Sequence, residues 1–283
     1  MTYEKCYICG SGEKSFIKKE GRWDIVECKV CSFVYITPLP DEQFLKLHYQ
    51  QYLPADAVSI AQWRAMMAEI FRRSLNVIES ESNYKRGTLL DIGCGYGFFL
   101  EKARQKGWRV FGIEPCDHAR EYAKSKSLDI EEGNLFDRKY LDETFDVVTL
   151  FYVLEHLPEP LRYLKEVYRI LKPGGLLLAR VPHTTPIVKI LRLFGIRNRL
   201  YDVPSHLSDF SPRTLARALE KTGFNDIHTF PGGATRPHPL GARMISYSSG
   251  LLADFLYIIS GKRLLVPGVS KTTIARKRKH SVS

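Results

Sequence analysis

The sequence predicts an α/β protein: a doubly wound, mostly parallel sheet with an antiparallel last strand, preceded by a small four-cysteine ribbon. Thr88-Leu89-Leu90-Asp91-Ile92 is an apolar run with one carboxylate, and it stops at Gly93, Gly95 and Gly97. Such a run describes a buried strand, a tight loop and a helix start. Downstream, strand-like and helix-like segments alternate, which requires a parallel sheet covered by helices on both faces. Upstream, Cys6-x-x-Cys9 and Cys28-x-x-Cys31 repeat the spacing of paired thiolate knuckles.

A chain of 283 residues holds one large domain with small attachments and buries a substantial core. Its formal net charge of +11 raises nucleic acid, anionic lipid and phosphorylated substrates as partners. Part of that excess is local, in Arg276-Lys277-Arg278-Lys279 and in Arg192, Arg197 and Arg199, so solvated surface charge accounts for it equally well. An apolar leader and a run of about eighteen apolar residues are both missing, which predicts a cytoplasmic protein without a spanning helix. Peripheral contact at the inner membrane surface is the second reading.

The segments divide as a ribbon over 1–37, a helical linker over 38–86, a main domain over 87–278 with an insertion at 231–270, and a tail at 279–283. In the ribbon, Phe16-Ile17, Trp23 to Glu27 and Phe33 to Ile36 read as short strands between the knuckles. Two redox motifs or two disulfides are alternatives. A redox motif opens a helix, however, whereas Gly10-Ser11 and Ser32 follow these knuckles as ribbon turns do. Cys6, Cys9, Cys28 and Cys31 are therefore expected to fill all four positions of a structural zinc ion, leaving none for a catalytic water.

Asp41-Glu42 with Phe44, Leu45 and Leu47 predicts a short helix with acids in its first turn, and Ala57 to Ser80 repeats apolar residues at helical spacing beside the first strand of the main domain. Arg109 to Glu114 is the second strand of that domain, followed by a helix from Asp117 to Ser125, a short strand near Leu128-Asp129-Ile130 and a turn at Gly133-Asn134-Leu135. Phe145 to Phe151 is the fourth strand. A helix from Pro158 to Leu171, broken by Pro173-Gly174-Gly175, leads to the strand Leu176 to Val181.

Glycine in the loop after the first main strand allows positive φ and lets a ligand approach the backbone. The helix behind it offers unpaired N–H groups. Glu114, at the tip of the second strand, is placed to accept hydrogen bonds from ribose hydroxyls. A pyrophosphate loop wants a third glycine where this chain has Phe98, which argues against a dinucleotide. Asp91 ahead of the loop suits the ammonium of an amino-acid ligand instead.

The stretch from Thr88 to Gly223 resembles class I S-adenosylmethionine-dependent methyltransferases, with a Rossmann-like sheet. The resemblance rests on Leu90 to Gly97, Gly112-Ile113-Glu114, Phe145-Asp146-Val147-Val148, Leu154-Glu155-His156-Leu157 and Leu171-Lys172-Pro173-Gly174-Gly175, in the family's order. It implies S-adenosylmethionine as co-substrate, with Asp91, Gly93, Cys94, Gly95 and Gly97 bordering its methionine part, Glu114 on the ribose, and Asn134, Leu135 and Phe151 completing the contacts. The ribbon, Val181-Pro182-His183, and the run from His206 through Ser211-Pro212 to Gly223-Phe224 are similar to bacterial and archaeal methyltransferases of small molecules, sugar-modifying ones included. Thr272 to Arg276 fits the last strand. Leu251 to Ile259 in the insertion is too short to span a bilayer and reads as a lid, a core helix or a membrane-surface helix.

Methyl transfer from a sulfonium is an in-line displacement that needs alignment and exclusion of water. O- or C-methylation of a sugar, glycan precursor or quinone-like acceptor also needs a base, for which His156, His183 and His206 are candidates and His156, following the fourth strand, is preferred. Glu155 would orient it or help hold a divalent ion. An RNA methyltransferase is the first competing class, raised by the ribbon and the charge but disfavoured by the absence of an Asn/Asp-Pro-Pro-aromatic signature after the fourth strand. A non-catalytic nucleotide-binding module is the second.

Overall fold

A computed structural model describes residues 5–81, 86–233, 240–266 and 270–279. An antiparallel meander comes first: β1 (Lys14–Glu20), β2 (Trp23–Cys28) and β3 (Val34–Thr37). Its aromatic and β-branched residues suit a pleated, half-buried surface. α1 (Glu42–Gln50) follows, capped by Asp41, whose carboxylate accepts from Phe44 N at 2.7 Å. α2 (Ala57–Glu81) turns Met67, Ile70, Phe71, Leu75 and Ile78 inward at helical spacing.

The main sheet is built from β4 (Thr88–Ile92), β5 (Arg109–Glu114), β6 (Ile130–Glu132), β7 (Phe145–Phe151) and β8 (Leu171–Val181), all parallel where they pair. Crossing helices α3 (Phe98–Gln105), α4 (Asp117–Ser125), α5 (Pro160–Ile170) and α6 (Thr185–Leu193) are followed by a two-residue strand, β9 (Ser208–Asp209), and by α7 (Pro212–Lys221). β10 (Asn225–Phe230), α8 (Leu240–Ile259) and β11 (Lys271–Arg276) complete the chain. The order across the sheet is β10-β11-β8-β7-β4-β5-β6, with β11 antiparallel to both neighbours. This is the doubly wound architecture with an antiparallel last strand that the sequence predicts.

Both faces of the sheet are buried, because adjacent strand residues point to opposite sides. Leu89, Val147 and Leu178 meet α2 and α3 on one face, whereas Leu90, Val148 and Leu177 meet α5 and α7 on the other. α2 thus lies over β8 and α3. The second face extends without a break into the ribbon, where Cys28, Phe33 and Tyr35 join the same core and Phe33 packs on Phe210 at 5.0 Å. β9 then adds a fourth strand to the ribbon, pairing Val34 with Asp209 and Tyr35 with Ser208.

Two local expectations shift. The short strand near Leu128 to Ile130 forms instead over Ile130–Glu132, opposite the last residues of β5. Pro173-Gly174-Gly175 does not separate helix from strand: Leu171 already pairs with Phe145 and pairing resumes at Val147 and Leu176, leaving a bulge between. Gly175 permits that bulge, since a Cβ there would stand 2.7 Å from the Lys172 carbonyl oxygen. Residues 280–283 of the expected tail, and 234–239 and 267–269 of the expected insertion, lie outside the described residues.

Candidate functional site

The glycine loop is tied to the neighbouring strand through its backbone. Gly93 N and Cys94 N both donate to the Ile113 carbonyl, at 2.8 and 3.1 Å. Gly93 adopts φ +69°, and a Cβ there would lie 2.6 Å from Val153 Cγ2. Gly97, at φ +73°, is the N-cap of α3, and a Cβ on it would meet Leu128 Cδ1 at 2.4 Å. Any side chain at either position is excluded twice, by backbone conformation and by space.

Two buried carboxylates flank this loop. Asp91, 2% exposed, accepts from the Thr149 hydroxyl at 2.7 Å, and burial pushes its pKa up to about 8. Glu114 accepts from Gly95 N at 2.7 Å through one oxygen and from Cys116 N at 2.9 Å through the other, and burial raises it to about 7. Desolvation disfavours the charged form of an acid that lacks a cation. Each carboxylate is thus set to gain from a ligand that brings positive charge or hydroxyl donors.

The other expected contacts divide. Cys94 packs into the core beside Gly112, where a Cβ would come within 2.7 Å of its sulfur. The Phe151 ring is also in the core, against Phe99 at 4.8 Å and Phe71 at 5.1 Å. Asn134 caps a short 3-10 turn, its side chain accepting from Phe136 N at 2.9 Å, and Leu135 is fully buried behind it.

The residues after α1 run along the loop. The Cys116 thiol donates to Gln50 O at 3.2 Å, His118 Nε2 lies 3.0 Å from Leu53 O, and the Tyr96 hydroxyl donates to Pro54 O. The segment read as a linker is therefore tied to the glycine loop and to the residues after β5.

α1 and the turn after it also reach the turn that carries His156. Tyr49 and Tyr52 stand edge to face with His156 at 5.4 and 5.3 Å, and the His156 ring meets His206 at 4.9 Å. The Tyr49 hydroxyl lies 3.0 Å from His156 O and 3.1 Å from Ser205 O. His156 Nδ1 is 2.7 Å from the Ser205 carbonyl, which can only accept, so Nδ1 carries the proton and Nε2 keeps its lone pair. Burial pushes His156 down to about 3 and lowers His206, so both imidazoles are neutral near pH 7.

Glu155 is fully buried, which raises its pKa to about 8, and neither of its carboxylate oxygens has a hydrogen-bond partner among the described residues. Ligand atoms of Glu155, His156 and His206 lie within 4.8 Å of one another, a set that could hold a divalent cation. His183 stands outside this group. Its electrostatic neighbours are Lys271 and Asp209, and burial lowers its pKa. Tyr49, Tyr52 and Thr149 carry no local motif; only their positions in space reveal them.

The four ribbon cysteines converge as their spacing predicts. Cys6 and Cys31 sulfurs are 3.6 Å apart, Cys9 and Cys28 sulfurs 3.4 Å, and all four lie within 4.8 Å. The thiols are unbridged. A tetrahedral ion with bonds of about 2.3 Å requires sulfurs roughly 3.8 Å apart, so the donor set fits zinc. Each knuckle turns at one left-handed residue, Gly10 at φ +80° and Ser32 at φ +59°. Burial raises the Cys6 thiol to about 11, a cost that a dication in the cluster would offset.

Residues 61–229 match a family model described as a methyltransferase domain. The ubiquinone biosynthesis O-methyltransferase of Pseudomonas entomophila (strain L48) is 29% identical over 143 residues, which are 48% of this chain and 62% of that protein. The demethylmenaquinone methyltransferase of Halalkalibacterium halodurans is 27% identical over 224 residues, 69% of this chain and 89% of the relative. A solved SAM-dependent methyltransferase from Archaeoglobus fulgidus superposes with a TM-score of 0.54 at 20% identity, covering 78% of this chain and 100% of the other, a likeness of fold. The match to the Pseudomonas relative spans less than two thirds of that relative's length.

Proposed function

The chain belongs to the methyltransferase-domain family, and from that premise we propose that it moves a methyl group from S-adenosylmethionine to a small-molecule acceptor of quinone-like or similar hydroxyl-bearing type. The observation that carries the donor assignment is the pair of buried carboxylates on either side of the left-handed glycine loop, Asp91 and Glu114. Asp91 would receive the ammonium of the donor, Glu114 would take its ribose hydroxyls while keeping Gly95 N, and the glycine backbone would lie against the methionine part. The relatives' names and the aromatic wall of Tyr49, Tyr52 and His156 support the acceptor class.

Bound S-adenosylmethionine supplies a methyl group already activated on a sulfonium. His156 Nε2, with its lone pair free, would take the acceptor proton as the acceptor oxygen or carbon bonds to the methyl carbon. The S–CH3 bond breaks with its electron pair going to sulfur, leaving a neutral thioether. Tyr49 and Ser205 would hold the ring in place, and the residues 50–54 would keep water out.

The ribbon would bind one zinc ion through Cys6, Cys9, Cys28 and Cys31, a closed structural site. Among the described residues no helix is long and apolar enough to cross a membrane. Incubating the protein with donor labelled on its methyl group and a cell extract tests the reading. Label is expected in the small-molecule fraction; label confined to RNA, or no transfer and no donor binding, overturns it.

A further inference from the structure

α8 buries the wrong side for an ordinary surface helix. Its inner side holds Ala253, the Asp254–Arg73 ion pair at 2.5 Å and the Tyr257 hydroxyl on Thr229 O at 3.3 Å. Facing outward are Leu251, Leu252, Phe255, Ile258 and Ile259, exposed by 47, 54, 59, 69 and 62%. Positions i, i+1, i+4, i+7 and i+8 make one stripe of a helix. A second apolar group stands on and after α6, where Leu193 is 85% and Phe194 74% exposed, with Ile190 and Ile196 beside them.

Both groups leave the sheet at one edge. β8 and β10 each run antiparallel to β11 and so parallel to each other; α6 follows the C-terminal end of β8, and α8 follows that of β10. At this same edge β4, β5 and β7 end in the glycine loop, Glu114 and Phe151. Their charges agree as well. Exposed Arg197 and Arg199 follow α6, and exposed Lys262 and Arg263 follow α8. Residues 183–201 contain no carboxylate, and the one in 240–266, Asp254, faces Arg73.

We propose that α6 and α8 dock the site-bearing edge of the protein onto an anionic lipid surface. Apolar side chains beside cations match the headgroup and acyl boundary, where burial and attraction to acidic lipids add. A second copy of the chain fits less well: it would set like charges together, and neither segment brings an unpaired carboxylate of its own to meet them. One helix face is also small beside the roughly 800 Å² per partner of a stable interface. The proposal goes beyond the methyl-transfer reading and does not depend on it.

Vesicle flotation of the full chain needs neither donor nor acceptor, so its failure leaves that reading untouched. The protein should float with vesicles of phosphatidylcholine mixed with phosphatidylglycerol, not with phosphatidylcholine alone, and less as salt is raised. Lys262→Gln with Arg263→Gln should weaken partitioning about twenty-five-fold, a factor of about five for each lost charge. Leu252→Asp with Phe255→Asp should abolish flotation without lowering the melting temperature; if it does melt lower, Phe194→Asp on the other group replaces it. Absence of flotation by the wild type, undiminished flotation of the folded aspartate variant, or a dimer that these substitutions dissociate would overturn the proposal.

Discussion

His156 and His206 meet edge to face with ring centroids 4.9 Å apart, although one follows β7 and the other precedes β9. The contact depends on the ribbon. Leu207 N donates to Glu155 O at 2.8 Å, Ile36 N donates to Leu207 O at 3.0 Å, and β9 pairs with β3, so the ribbon sheet clamps the His206 segment onto the turn that carries His156.

His156→Ala should leave donor affinity within about twofold and lower turnover by about 10² to 10⁴, the usual range for a lost general base. Isothermal titration with the donor and steady-state rates separate the two. Burial holds His156 down to about 3, a lowered value, so its stabilising contribution is present above the unfolded pKa of about 6.5 and lost as pH falls towards 3. No histidine inflection from this residue is expected in the rate between pH 6 and 8.

Donor affinity should rise with pH. Asp91 sits at about 8 in the free protein, and a cationic ligand binds its ionised form, so binding releases a proton and tightens by up to about tenfold per pH unit below that value. Because the folded pKa is raised, the stability Asp91 contributes without ligand is full below about 4 and is lost as pH climbs through 8. Melting temperatures with and without donor, from pH 5 to 9, give the check; Asp91→Asn should flatten the affinity profile.

Gly93→Ala should cost at least about 2 kcal/mol of stability, since its Cβ would stand 2.6 Å from Val153 Cγ2 at φ +69°. Donor affinity should fall with it. Chemical denaturation measures the first and titration the second.

Elemental analysis should find one zinc per chain, and Cys9→Ser should release it. Because Phe33 and Tyr35 belong to the core that also holds Leu154 and Phe210, metal loss should lower the melting temperature of the entire protein. Turnover should suffer more than donor binding, because the ribbon pairs with β9 beside His206, whereas the glycine loop is held by the Ile113 carbonyl of β5.

Tyr49→Phe removes the hydroxyl shared between His156 O and Ser205 O. A loss of about 1 kcal/mol in stability is expected, with turnover reduced and donor affinity unchanged, as rates and titration would report.

The sequence by itself determined the ribbon strands, α1 to α5, and β4, β5, β7 and β11 in their order, because apolar periodicity, caps and glycine loops act over a few residues. Thr88 to Gly97 and the two knuckles were legible for that reason: each closes on itself within one turn of chain. Only the tertiary structure decided that α1 and the turn after it would carry Tyr49 and Tyr52 to His156, that Asn134 would spend its side chain on a cap, and that the Phe151 ring would turn into the core. It also decided which side of α8 faces outward. That helix is apolar on both sides, so its periodicity cannot choose between them; the choice falls to Asp254 and Arg73, which meet only after the sheet has brought α2 and α8 together. Pairings between distant segments leave no local trace, since what selects them is the shared core and the hydrogen bonds formed on closing it.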